Sequence, residues 1–300
     1  MLINETKVIK IFIEVDDFCK AFDEWSEKTS LSDCIKKVSR RGVKPKMCRS
    51  EIMTIMILYH LSGYKCFEYF YKQELTENLQ SLFPHALTYE RFVARIPEVS
   101  LLMYLFGQFK ASQGDKTGVY FIDSKALKVC HIKREKQHCV FRKVAAKGKS
   151  SMGWFYGLKL HLVINNIGQI LHFAFTPGNI ADNNALVLKH LFDNLKGKCI
   201  GDKGYLTKLF ETFLEGGLQI ITKIKCNMKN VLISLIDKLL LRKRGVIESV
   251  FDILTSITDL EHSRHRSPEN AFTAMFAAIS AYAFLERKPS IDLKKLSPNS

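Results

Sequence analysis

The stretch VYFID, Val119–Asp123, marks where the chain changes from helical to strand-like patterning. Four apolar residues of strand-forming type, closed by an acid, read as a short buried strand. Upstream, SEIMTIMILYHL repeats its apolar residues at helical spacing, with Ser50 as the expected N-cap and Gly63 as the stop, and Tyr64–Leu75 reads as a second helical piece. The polar run ASQGDKTG, 111–118, is the natural link between the two regions.

Downstream of Asp123, GLKLHLVIN and QILHFAF read as strands joined through Asn166–Gly168. A helix over Asp182–Leu195 follows, then KCIGD as a fourth strand, a helix over Leu206–Glu215, LQIITKI as a fifth strand, and a helix from Arg242 to about Ile257. AFTAMFAAISAYAFL is expected to close this domain as a buried helix. Hairpin strands followed by alternating helices and strands imply a mixed α/β sheet with helices on both faces. The expected division is a helical domain over 1–114, in which the two helices around LSGYK read either as a DNA-binding helix-turn-helix or as an ordinary helix pair, a sheet domain over 115–290 and a frayed tail over 291–300.

The chain has 300 residues, is 47% hydrophobic and 25% charged, and carries 45 Lys plus Arg against 30 Asp plus Glu, a formal +15. That composition is globular, and the excess charge points to a polyanionic partner, nucleic acid before any other. An anionic membrane surface is the weaker alternative. No apolar run reaches the roughly 20 residues of a membrane span, and the N-terminus lacks a signal-peptide core, so a soluble intracellular protein is expected. The eight cysteines form no CxxC pair and read as reduced thiols, mostly buried.

Asp123 ends the first strand of this reading and Asp202, in GDKGY (201–205), ends the fourth, so both emerge from one end of neighbouring strands. On its own GDKGY reads first as an ordinary glycine-flanked turn, and only with the rest of the chain as a metal-binding tip. Two nearby carboxylates repel, and a divalent cation such as magnesium relieves the repulsion through hard oxygen ligands. A third acid is then expected from a flanking helix. In RKRGVIESVFDILTSI, Ile247, Val250, Phe251 and Leu254 form the apolar arc, with Arg244, Glu248 and Thr255 along its edge; Asp252 competes with Glu248.

Taken with FIDSKALKVCH, KGKSSMGWFYGLKLHLVIN, TPGN, ITKIKCNMKN, LRKRGVIESVF and EHSRHRSPEN, the chain resembles the DDE transposases of bacterial insertion sequences, nearest the insertion-sequence 982 group. The resemblance implies a ribonuclease H-like catalytic domain in which Asp123, Asp202 and Glu248 are the catalytic, metal-holding acids. The broader group's helix signature runs tyrosine, arginine, glutamate, lysine; Arg244 and Glu248 fit it, while Leu241 and Thr255 stand at the tyrosine and lysine positions. Thr255 removes a phosphate contact.

The implied activity is cleavage of phosphodiester bonds at the ends of an element with two Mg2+ ions, Mn2+ substituting, followed by joining of the 3′-hydroxyl to target DNA. The implied partner is double-stranded DNA, as terminal inverted repeats and target, with a homodimer pairing the ends, in a bacterial cytoplasm on the nucleoid. Alternatives are an element-derived DNA-binding relic and a metal-dependent nuclease that does not join strands.

Between Ser124 and His161 stand ten Lys or Arg residues and one acid, Glu135. Lys125, Lys128, Lys133, Arg134, Arg142, Lys143, Lys147 and Lys149, with His131, read as a DNA-holding insertion; Lys136 and Lys159 add to its charge. Lys203, Arg244, Arg264, His265 and Arg266 are further candidate phosphate contacts, and Trp154, Phe155 and Tyr156 are either base-stacking groups or core aromatics. Cys130, His131, His138 and Cys139 supply soft ligands, but adjacent pairs lack the usual zinc-site spacing.

Overall fold

The structure is a computed structural model that describes residues 4–29, 46–150, 153–205, 209–222, 234–261 and 265–294. Its residues divide into two compact units. One comprises residues 1–107, 257–260 and 268–284, and the other residues 108–256, 261–267 and 285–300.

The first unit is helical. Helix α1 (Glu5–Lys28) buries Val8, Ile11, Val15 and Cys19, a stripe at spacings of three and four residues. Helix α2 (Arg49–Ser62) packs beside it, with Ser50 and every residue from Ile52 to Ser62 buried, so it forms the core of the unit. The expected cap at Ser50 is displaced. The helix starts at Arg49, the Cys48 N–H donates to Glu51 Oε2 at 2.6 Å, and Ser50 Oγ donates to Asp16 Oδ1 of α1 at 2.7 Å. A single turn at Phe67–Tyr69 runs into a π-helix at Phe70–Asn78, and helix α3 (Tyr89–Arg95) completes an aromatic cluster in which Phe67, Tyr71 and Phe92 meet. Helix α4 spans Ser100–Ser112.

The second unit is built on six strands: β1 (Val119–Cys130), β2 (Ala146–Ser150), β3 (Gly153–Asn165), β4 (Ile170–Pro177), β5 (Gly197–Gly201) and β6 (Leu218–Thr222). Their order is β2-β3-β1-β5-β6, with β4 also on β3. Pairs β1–β3, β2–β3 and β3–β4 are antiparallel, and β1–β5 and β5–β6 are parallel, so the sheet is mixed. β2 and β4 take successive stretches of β3, Gly153–Gly157 and Leu158–Ile164.

One face of the sheet buries Tyr120, Ile122, Val163 and Cys199 with Leu188 and Leu191 of helix α5 (Ala185–Leu191). Helix α6 (Phe210–Glu215) packs on β6, and helix α7 (Leu235–Lys243) runs to Arg244, after which helix α8 (Gly245–Ser256) packs on β1 with Ile247, Val250, Phe251 and Leu254 buried.

Three sequence expectations change. β1 does not end at Asp123 but runs on to Cys130, because β3 pairs with it from Tyr120 to Cys130. Part of the basic insertion is therefore strand, and β2 is a strand the patterning did not reveal. Helix α9 (Pro268–Ala283), expected in the sheet domain, packs on α2 and groups with the helical unit; buried along most of its length, it carries no one-sided pattern to mark its partner. The cysteines are not mostly buried: of the six described, Cys19 and Cys199 are, while Cys48, Cys66 and Cys139 are exposed.

Candidate active site

Asp123 sits at a change in its strand's surroundings. β5 flanks β1 only from Val119 to Phe121, whereas β3 flanks it throughout. Phe121 pairs with Ile200, so the same parallel register carried two residues on sets Asp123 beside Asp202, just beyond the end of β5. Side chains alternate along strands, so both acids project to one face of the sheet, the face α8 covers. Gly201 has a steric reason: a Cβ there would lie 2.9 Å from Ile122 Cγ2. The chain then turns at once, with Tyr205 N–H donating to the carbonyl of Asp202 at 3.0 Å.

Glu248 arrives from the first turn of α8, one helical turn after Arg244. The Arg244 guanidinium joins the acids: Nη1 is 3.5 Å from Asp202 Oδ1, and Nη2 donates to Glu248 Oε1 at 3.3 Å. Asp123 is half-buried behind them, with Oδ1 accepting from the Ser124 N–H at 2.8 Å. Burial pushes its carboxyl up to about 6; the Ser124 N–H and Arg244 pull it down, and Asp202 and Glu248 push it up again. Asp252, the competitor of Glu248, is exposed on α8 and takes no part in this group of charges.

The three acids and Arg244 thus share one electrostatic site. Among the described residues, no three His, Cys, Asp or Glu side chains close tightly enough on one point to ligate an ion; Arg244 stands between Asp202 and Glu248. The donor set nevertheless fits a divalent cation. It consists of carboxylate oxygens alone, has a half-buried member whose pKa is raised by burial and further by the other two acids, and already gathers around a positive charge.

Behind Asp123, on the opposite face, lies a group the sequence reading missed. Ser124 Oγ donates to Asp182 Oδ1 at 2.9 Å, and Lys159 Nζ donates to the same oxygen at 3.0 Å and to the Ile180 carbonyl at 2.9 Å. The buried phenol of Tyr205 lies close enough to Asp123 and Asp182 for both to push its pKa further up, after burial itself. Lys159, counted with the DNA-holding charge in the sequence, is an internal cation. The available signal was faint: Asp182 falls in the turn-rich TPGNIADNN, 58 residues beyond Ser124.

Where the helix signature puts a lysine, at Thr255, the structure supplies a cation from elsewhere. Lys125 Nζ donates to Thr255 Oγ1 at 3.4 Å and lies 3.8 Å from Glu261 Oε1. Lys128, His131, Lys133, Arg134, Arg142, Lys143, Lys147 and Lys149 are all exposed, and Lys203 is half-buried beside Asp202. His265 is half-buried and Arg266 exposed, while Arg264 lies outside the described residues. Of the soft-ligand pairs, His131 Nδ1 accepts from the Lys133 N–H and His138 stacks on Phe141. Phe155 and Tyr156 are buried, but Trp154 is exposed.

No helix among the described residues is long and apolar enough to cross a membrane. No curated protein matches the chain in a sequence comparison. The family model described as a transposase DDE domain matches residues 113–268, just over half of the chain and a span that includes Asp123, Asp202 and Glu248. The chain belongs to the DDE-domain transposase family.

Proposed function

We propose that the protein is an insertion-sequence transposase, nearest the 982 group, whose ribonuclease H-like sheet unit cuts phosphodiester bonds at the ends of its element and joins the freed 3′-hydroxyl to target DNA. The observation that carries this reading is the gathering of Asp123, Asp202 and Glu248, from β1, the turn after β5 and α8, around Arg244.

In this reading the three carboxylates hold two Mg2+ ions, for which Mn2+ substitutes. Such ions, when bound, supply Lewis-acid stabilisation of the attacking and leaving oxygens. Asp123 is the central ligand, held in orientation by the Ser124 N–H; Asp202 and Glu248 flank it. Arg244, which pairs with Asp202 and Glu248, would turn to a DNA phosphate when those carboxylates hold the ions. Lys125, at the helix edge by Thr255, grips a second phosphate. His131, Lys133, Arg134, Arg142, Lys143, Lys147 and Lys149, with Lys128, hold the duplex by charge, and Lys203, Arg264, His265 and Arg266 extend that contact. The helical unit recognises the element's terminal repeats, and a homodimer pairs two ends.

The test is strand cleavage of labelled element-end DNA with Mg2+ or Mn2+, comparing the wild type with Asp202→Ala at matched DNA binding. Nicking by the wild type alone supports the reading. Equal binding with no cleavage by either protein replaces it with a DNA-binding relic, and cleavage without joining replaces it with a nuclease.

A further inference from the structure

We infer that the exposed indole of Trp154, flanked by the ammonium groups of Lys147 and Lys149, is a stacking platform for an unpaired DNA base at the far end of β3 from the acids. This deepens the transposase reading and takes the identity of the polymer from it.

Tryptophan is usually well buried, yet Trp154 is 58% exposed while its neighbours Phe155 and Tyr156 are buried. Lys147 Nζ lies 5.1 Å and Lys149 Nζ 5.8 Å from the ring centroid. Those cations make the spot unsuited to an apolar protein surface and suited to a flat ring carried on an anionic chain, which is what a nucleotide offers. Stacking platforms of this kind combine an aromatic face with backbone-tracking positive charge, and both are present within one strand pair.

The platform is held in place. β2 and β3 pair from Ala146–Gly157 to Ser150–Gly153, with Lys149 opposite Trp154. Gly148, between the two lysines, packs so closely on the segment after β4 that a Cβ would lie 2.2 Å from the Gly178 carbonyl oxygen. The indole and its lysines are thus presented by backbone that cannot move away without unpacking.

Their direction matters as much. Trp154, Tyr156, Leu158, Leu160 and Leu162 alternate onto one face of β3, and Leu162 pairs with Asp123. Lys147 and Lys149, through their pairing with Tyr156 and Trp154, belong to that face too. The platform therefore stands on the same side of the sheet as the acids, eight residues along β3, or about 27 Å. At a rise of about 3.4 Å per nucleotide, that is roughly eight nucleotides from the cleaved phosphate.

The test uses the full chain. Trp25 and Trp154 are its two tryptophans, so Trp25→Phe leaves Trp154 as the reporting fluorophore. A duplex with a thymidine overhang is titrated against the same duplex with an abasic overhang of equal charge and against a blunt duplex. Quenching of Trp154 by the thymidine overhang alone is expected. Trp154→Ala should weaken binding of that overhang by about 5- to 100-fold, leave the abasic one unchanged, and be partly rescued by Trp154→Phe.

Equal affinity for thymidine and abasic overhangs, or unmoved emission with the overhang bound, would overturn the inference and leave a purely electrostatic contact. All of this is read without cleavage, in Asp202→Ala protein as well. If base-dependent quenching persists where the wild type cuts no DNA, the transposase reading falls and the platform stands. If the wild type cuts but shows no base dependence, the platform falls alone.

Discussion

With its carboxyl pushed up to about 6, chiefly by burial, Asp123 is in part protonated at mildly acidic pH, and a cation must displace that proton to bind. Calorimetric titration with Mn2+ should therefore show affinity flat above neutral pH and falling below pH 6, by up to about tenfold per unit for one proton released. Asp123→Asn should abolish that pH dependence together with most of the binding. Arg244 sets a second expectation at this scale. Arg244→Ala removes a competing cation and, in the proposed function, a phosphate contact at once, so metal affinity should rise while DNA affinity falls, two changes that a general loss of structure would not produce in opposite directions.

Among the elements, β1 and the β5 end fix the acids, and both are braced from behind. Gly201→Ala places a methyl group 2.9 Å from Ile122 Cγ2 in a closed core, which should cost about 1–3 kcal/mol by chemical denaturation. Asp182→Asn leaves Lys159, only 12% exposed, without its anion and loosens Ser124, so it should slow cleavage without weakening duplex binding. Much of this scale was readable in the sequence. VYFID and KCIGD announced neighbouring strands, and the apolar arc of α8 put Glu248 and Arg244 on its inner edge. Asp182 was not readable, because its partners Ser124 and Lys159 lie on other strands and no local pattern records a contact made across the sheet. The full length of β1 was missed for a related reason: KALKVC gains its strand conformation from pairing with β3, while its lysines suggested a loop. Which acid of α8 joins the site, Glu248 or Asp252, depended on the helix's rotation against β1 and needed the fold to decide.

Across the whole molecule two balances set behaviour. His161 and His172 are each pushed down to about 4, chiefly by burial, from an ordinary 6.5. A group with a depressed folded pKa contributes stability that is complete above its unfolded value and lost as pH falls towards the folded one. Asp123 works in the opposite sense, losing stability as pH rises through about 6. With two histidines against one carboxyl, unfolding free energy should fall between pH 6.5 and 4, measurable as a decreasing denaturation midpoint in urea. The second balance is the formal +15, much of it on the exposed segment Lys128–Lys149, which should make duplex affinity drop steeply and log-linearly with salt.

The inward turn of Lys159 has a consequence for chemical labelling. Its amine is spent inside the protein on Asp182 and the Ile180 carbonyl, whereas Lys128, Lys147 and Lys149 stand in water. An acylating reagent followed by mass spectrometry should mark those three and spare Lys159. Adding duplex should then shield the marked lysines and leave Lys159 as silent as before, so that one internal residue serves as the built-in blank for a footprint of the proposed nucleic-acid surface.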